Sequence, residues 1–232
     1  MKKTERGPLE QAKKTTAVPK AKPAKKRLTT DRREQKRAID TKQAILNAAL
    51  DEFAERGFDG ASIRRIGERG GLDYTLITYH FRNKELLWKA VASYAFEEIT
   101  AAWDLAIPPD STLSPVERVR TEFLYYFRYT VSHKAFHNFM LREMQSPGSR
   151  LRWLAKHFLK QTRERILPQI AAAQCDGDLV EGDIDLLYYM LIGATAALSS
   201  LSGEISLTTG YTLTDTKVVD RYWTLLESVF FK

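Results

Sequence analysis

The sequence predicts an all-helical protein, with a small N-terminal unit followed by a larger helical body. Three observations carry that prediction. Apolar residues recur every three or four positions along most of the chain. Capping residues open those stretches, and glycine or proline closes them. No segment alternates at period two. With 232 residues, 44% apolar and 11% aromatic, the chain can bury a proper core, which excludes wholesale disorder. A single cysteine excludes an intramolecular disulfide framework and a multi-cysteine zinc site. No run approaches the roughly 18 apolar residues of a membrane span. The N-terminus is basic but lacks the apolar segment of a secretory signal, so a cytoplasmic location is expected.

The net charge of +7 is unevenly placed. Residues 1–40 hold 14 Lys and Arg against 5 Asp and Glu, a net +9, and the remainder is −2. Residues 1–36 have sparse apolar positions and three prolines, so they are expected to be a disordered basic tail. The tail reads either as a solubilising extension or as an electrostatic arm. In the second reading Lys20, Lys22, Lys25, Lys26 and Arg27 attract a polyanion through counterion release. A membrane surface fits less well, because the segment has almost no apolar face to insert.

From Asp40 the pattern turns helical. Ile45, Leu46, Ala49, Leu50 and Phe53 form one stripe, and Gly57 stops it. Ser62 opens a short helix that buries Ile63 and Ile66, and Gly70-Gly71 breaks it. Asp73 opens a second short helix with Leu76, Ile77 and Phe81 as its apolar positions. Asn83 begins a longer helix to about Ala106, ended by the Pro108-Pro109-Asp110 loop. Ser114-Pro115-Val116-Glu117 combines an N-cap, a proline at the first helical position and a capping-box glutamate. Val116, Val119, Phe123, Tyr126, Phe127 and Thr130 share one face of the helix that follows. Further helices are expected over 134–145, 150–174, 183–202 and 215–231, with Pro168 kinking or interrupting the second of these. The breaks between them are Ser146-Pro147-Gly148, Asp176-Gly177 and a 203–214 loop.

Two short helices, 62–69 and 73–80, separated by a glycine turn have helix-turn-helix geometry, in which the second helix enters the DNA major groove. The surrounding residues are specific. Phe53 leads to Gly57-Phe58, and Ser62 opens the second helix. Gly70-Gly71-Leu72-Asp73 makes the turn, and Tyr79-His80-Phe81 precedes Lys84-Glu85-Leu86. On these motifs the stretch 40–95 resembles the DNA-binding domain of TetR-family (tetracycline-repressor-like) transcriptional regulators. Asp73 replaces that family's usual Ser, and Thr78 stands where it commonly has Tyr, so an operator sequence does not transfer. Ser62 at its N-cap can offer a hydroxyl and a helix N-terminus to a phosphate. Lys84 resembles the family's phosphate-contacting lysine, and Thr41, expected at the start of the first helix, is assigned the same kind of contact. Base reading is assigned to Tyr74, Thr75, Thr78 and Tyr79, with Arg64 or Arg65 beside them for a guanine or a phosphate. The expected division is a tail 1–36, a DNA-binding domain 37–83 with its helix-turn-helix at 62–81, a connecting helix 84–106, and an effector-binding and dimerisation domain 107–232.

That last domain is rich in large rings, which suits an apolar cavity with a few hydrogen-bonding groups. Trp103, Phe123, Tyr126, Phe127, His133, His137, Met140, Trp153 and Tyr188 are the candidate lining. In the resembled family this domain holds a small effector, here expected to be apolar or aromatic, and repression relieved by ligand is the usual sign. The late helices combine small residues, Gly193 and Ala197 among them, with a surplus of apolar ones including Tyr222, Trp223 and Leu226. A homodimer built as a four-helix bundle would bury both sets, as the resembled family does. No nucleophile elbow, dinucleotide fingerprint, phosphate loop or zinc-protease motif is present, so neither an enzyme nor a cofactor or metal site is expected. A nonspecific architectural DNA binder using the lysine tail is the alternative.

Overall fold

The computed structural model describes residues 24–108, 111–145 and 147–232, with side chains from residue 35 onward. It divides into two compact units, Met1–Asp40 and Thr41–Lys232. The described part of the first is the opening of helix α1 (Ala24–Gly60). Helix therefore begins inside the stretch expected to be disordered. Residues 31–38, DRREQKRA, are mostly Arg, Lys, Glu, Gln and Ala, which lose little side-chain freedom in a helix. Lys20, Lys22, Lys25, Lys26 and Arg27, the expected arm, lie outside the residues whose side chains are described. The α1 span bends near its end at Gly57, where φ is 68°, a left-handed value that glycine adopts without penalty.

In the second unit α2 (Ile63–Gly70), α3 (Tyr74–Phe81) and α4 (Lys84–Ala106) follow in short order. Each is opened by the residue expected. The Ser62 hydroxyl accepts from the Arg65 amide at 3.2 Å, the Asp73 carboxylate from the Thr75 amide at 2.8 Å, and the Asn83 side chain from the Leu86 amide at 2.8 Å. Helix α5 (Pro115–Ser132) carries the full capping box, with the Glu117 carboxylate accepting from the Ser114 amide at 2.8 Å. Then come α6 (Lys134–Met144), α7 (Ser149–Leu154), α8 (Lys160–Cys175), α9 (Ile184–Ser200), α10 (Ser202–Thr209) and α11 (Thr216–Phe230).

Two expectations need correction. The stretch 150–174 is interrupted, but not at Pro168, which sits inside α8. The irregularity is a π-helical turn at Ala155–Leu159, between α7 and α8. The 203–214 segment is not all loop, because α10 occupies its first part and ends at Gly210 with φ 74°. Its sequence, SGEISLTT, has no apolar stripe, which is why periodicity missed it.

Buried side chains form two cores. One joins α1–α4 to α6 and α7 through Ile45, Phe53, Ile66, Ile77, Trp88 and Phe139. The other joins α5, α8, α9 and α11 through Phe127, Ile170, Leu191 and Trp223. Among the described residues the extended structure is a single antiparallel bridge, Leu179 to Phe231. No single helix among them is long and apolar enough to cross a membrane.

Candidate nucleic-acid interface and effector cavity

The helix-turn-helix is fixed by a contact that tolerates no side chain. A Cβ on Gly67 would lie 2.7 Å from the Leu72 carbonyl oxygen and 3.4 Å from the Tyr74 amide nitrogen. The backbone of the turn thus crosses α2 directly, which sets the angle between α2 and α3. Gly71 completes the turn with φ 62° and caps α2, its amide donating to Glu68. Ile66, Ile77 and Phe81 face the core.

The opposite face of α3 is open. Tyr79 is 81% exposed and Tyr74 50%, and Thr75 and Thr78 are exposed between them. The Thr75 hydroxyl donates to Asp73 at 2.7 Å, and the Thr78 hydroxyl donates to the Tyr74 carbonyl at 3.0 Å. Their oxygens and methyl groups are what a partner would meet. The Thr75 hydroxyl and amide hold the Asp73 carboxyl below the usual carboxylate range. The exposed Arg64 guanidinium stands 5.9 Å from the Tyr74 ring centre.

Three assigned side chains sit differently from expectation. Arg65 donates to Glu52 at 2.7 Å and also to the Gly60 carbonyl. Glu52 is buried, and Arg56 and Arg69 pair with it too. Arg65 is therefore committed to the packing of α1 on α2, and Arg64 is the free member of the pair. Thr41 lies well inside α1, so its hydroxyl is present without a helix N-terminus behind it. The half-buried Lys84 ammonium donates to the Ala61 carbonyl at 3.1 Å and lies 4.6 Å from the Phe58 ring centre. It ties the α1–α2 connection to the start of α4.

The remaining body grips this unit. Arg142 of α6 donates to the Ala54 carbonyl at 2.7 Å and also to the Glu55 carbonyl, both in the last turns of α1. Its neighbour Glu143, buried, accepts from the Trp88 indole at 3.2 Å and from Arg150 at 3.1 Å. Arg150 in turn lies 4.2 Å from the Phe58 ring centre. Helices α1, α4, α6 and α7 meet at this clasp.

Beyond it, between the two cores, lies a cavity of about 900 Å³. Trp103, Phe123, Tyr126, Met140 and Tyr188 line it as expected, joined by Phe96 and Ile99 of α4, Phe136 of α6 and Ile166 of α8. Burial pushes the Tyr126 hydroxyl up to about 12. Four expected lining residues are placed otherwise. Phe127 is fully buried in the second core, stacked on Tyr222 and Trp223. His133 is exposed and stacks on Tyr129 at 3.8 Å between ring centres. His137 is buried with its Nε2 3.1 Å from the Ser200 hydroxyl, joining α6 to α9, and burial pushes its pKa down. Trp153 packs edge-on against Trp88 and stacks on His157. Apart from the exposed His133, helical spacing identified rings that turn inward but not which of the two cores or the cavity they reach.

Sequence reasoning missed Glu122. It is 1% exposed and lines the cavity, and neither carboxylate oxygen has a hydrogen-bond partner. Burial raises its pKa against the opposing pull of Arg165 and Arg118. A signal existed: Glu122 stands between Val119 and Phe123 on the apolar stripe of α5. The rim carries Lys156 and Lys160 of the π-turn region and the Arg163–Asp185 ion pair. Among the described residues no cluster of His, Cys, Asp and Glu is placed to hold a metal ion.

The assigned dimer face is also revised. Trp223 and Leu226 are buried in the second core, and the Tyr222 hydroxyl donates to the Ala194 carbonyl at 2.6 Å. Gly193 is exposed and Ala197 half-buried. The exposed large apolar residues of these helices are Leu186, Tyr189 and Met190 of α9 and Leu225 and Val229 of α11. Trp223 and Leu226 of the expected face thus pack within the chain, and the outward side of α11 carries Leu225 and Val229.

A short helix set by a glycine turn and open on one face, on an all-helical body with a cavity, is the geometry of a helix-turn-helix protein. Residues 45–91 match the family model described as bacterial regulatory proteins, tetR family. Over those residues the chain is similar to the DNA-binding domain of that family. It is 35% identical over 88 residues to the HTH-type transcriptional regulator RutR of Escherichia coli, which is 38% of this chain and 35% of that protein. The chain spans less than two thirds of the length of the curated relatives it matches first. The fold is shared with the ketosteroid transcriptional regulator KstR2 of Mycobacterium tuberculosis, at TM-score 0.64 and 22% identity over 83% of this chain and 95% of that one. It is shared also with FadR from Bacillus subtilis in complex with stearoyl-CoA, at TM-score 0.61 and 17% identity over 79% of this chain and 96% of that one.

Proposed function

We propose that this protein is a sequence-specific DNA-binding transcriptional regulator, a homodimeric repressor that a small apolar effector releases from its operator. The observation that carries the reading is the path of α4. It begins at Lys84, against the helix-turn-helix, and its later turns supply Phe96, Ile99 and Trp103 to the cavity wall. One rigid element thus touches both sites, which is what coupling by a two-state mechanism requires. Recognition falls to Tyr74, Thr75, Thr78 and Tyr79, and positioning to Ser62, Arg64 and Lys84. The largely apolar lining favours an apolar or aromatic effector, and the stearoyl-CoA complex of FadR is consistent with a cavity of this kind in the same fold. The exposed stripe Leu186, Met190, Leu225 and Val229 would meet its symmetry mate across α9 and α11. A DNA-bound dimer acts in the cytoplasm, at the nucleoid.

The test measures DNA affinity by fluorescence anisotropy, comparing the DNA upstream of the protein's own coding sequence with random duplex. Specific binding is expected to exceed random by at least about 10³-fold at physiological salt. Equal affinities would favour the architectural reading and overturn this one.

A further inference from the structure

The cavity carries an orphaned donor and an orphaned acceptor in an otherwise apolar wall. The acceptor is Glu122 of α5, and neither of its oxygens receives a hydrogen bond. The donor is the indole Nε1 of Trp103 on α4, buried and likewise unpartnered. Arg165 links the two: its Nε lies 3.5 Å from Glu122 Oε1, and its guanidinium lies 5.5 Å from the Trp103 ring centre. Buried polar groups left unpaired are costly, and a bound molecule that pairs them gains what the empty site forfeits.

The charges around these atoms decide what kind of group pairs them. Glu122 faces Arg165 and Arg118, the latter at 3.7 Å, and Arg165 also pairs with Asp104. Two acids and two guanidiniums balance. An anionic ligand end would face the Glu122 carboxylate, and a cationic one would add a charge the cluster does not need. A group that only accepts leaves Glu122 ion-paired but without a hydrogen bond, and one that only donates leaves the Trp103 indole without one. A single neutral hydroxyl donates to the first and accepts from the second.

We propose that the cavity takes an amphipathic alcohol, an apolar body with a neutral hydroxyl that donates to Glu122 and accepts from Trp103 Nε1. This rests on the effector reading above and says which chemistry fills the site. The basic rim, Lys156 and Lys160, supplies the rival, an anionic headgroup with its chain inside.

The experiment titrates the full-length protein by calorimetry with four ten-carbon probes: 1-decanol, methyl decyl ether, decanoate and decylamine. Decanol is expected to bind about tenfold tighter than the ether, the effect of one buried hydrogen bond. In Glu122→Gln the side-chain amide can donate to the ether, so that preference should collapse to within about twofold while decanol still binds. Trp103→Phe keeps a ring and removes the donor, so it should weaken decanol and ether by similar factors. Decanoate or decylamine as the tightest probe overturns the proposal, as do equal affinities for alcohol and ether or no binding of any probe. Whether decanol weakens DNA binding is read separately. Tight decanol binding without that effect leaves this inference standing and overturns the regulatory link.

Discussion

Gly67 has no room for even one methyl group, because the obstacle is the Leu72 carbonyl, a backbone atom, and not a flexible side chain. Gly67→Ala should destabilise the protein by about 1–3 kcal/mol and weaken DNA binding, since relieving the contact opens the angle between α2 and α3. Urea unfolding with a loss below about 0.5 kcal/mol would mean that the turn relaxes freely. Lys84 and Tyr74 divide along a different line. Lys84→Ala should weaken binding to every DNA sequence and lower the salt slope by about one unit, as expected for one lost phosphate contact. An unchanged slope would show that its bond to the Ala61 carbonyl is its whole role. Tyr74→Ala or Thr75→Ala should instead change which bases are preferred. Glu122 makes a pH prediction. Burial raises the pKa of its carboxyl in the folded protein, so between the unfolded and folded values the folded state holds a proton that the unfolded chain gives up. That contribution is complete below the unfolded value and is lost as pH rises through the folded one. The difference in melting temperature between wild type and Glu122→Gln should therefore change in the wild type's favour on acidification from neutral, and a pH-independent difference would refute it.

Helix α11 shows how far periodicity reaches and where it stops. Val218, Val219, Tyr222, Trp223, Leu226, Val229 and Phe230 announce a helix with apolar residues on more than one side. They do not say which side the chain keeps for itself. The structure turns Trp223, Leu226 and Phe230 inward and leaves Leu225 and Val229 outside. Leu225→Glu with Val229→Glu should give folded monomers by light scattering, whereas Trp223→Asp should lose the helical circular dichroism signal. Folded monomers from the second variant would reverse the assignment. The helix-turn-helix was legible almost whole, because its caps and turn are local: Ser62, Asp73 and Gly71 act within a few residues of themselves. Arg65 was not, since its partner Glu52 lies on another helix, and sequence spacing does not record which helices meet. The cavity lining residues Phe96, Ile99, Phe136 and Ile166 were hidden for the same reason.

At the scale of the whole molecule, the two faces of α6 do different things. Met140 and Met144 line the cavity, while Arg142 holds the carbonyls at the end of α1. Under the proposed function, an effector that displaces α6 would have a second route to the helix-turn-helix besides α4. Coupling between effector and operator should be about 1–3 kcal/mol and reciprocal, each lowering the other's affinity by the same factor. Titrating effector with and without operator measures it, and equal affinities would separate the cavity from regulation. Arg142→Ala should reduce that factor while leaving effector binding to the free protein unchanged. The same side chain bears on how freely the family's parts can be recombined. Residues 37–83 look like a self-contained cassette, yet part of what fixes their geometry is supplied by Arg142 and Arg150, far downstream. A graft of those residues onto the sensing half of a relative should read DNA poorly until the recipient is given arginines at the matching positions. Biosensor chimeras cut at the start of α4 would then fail for want of a clasp, not for want of a signal.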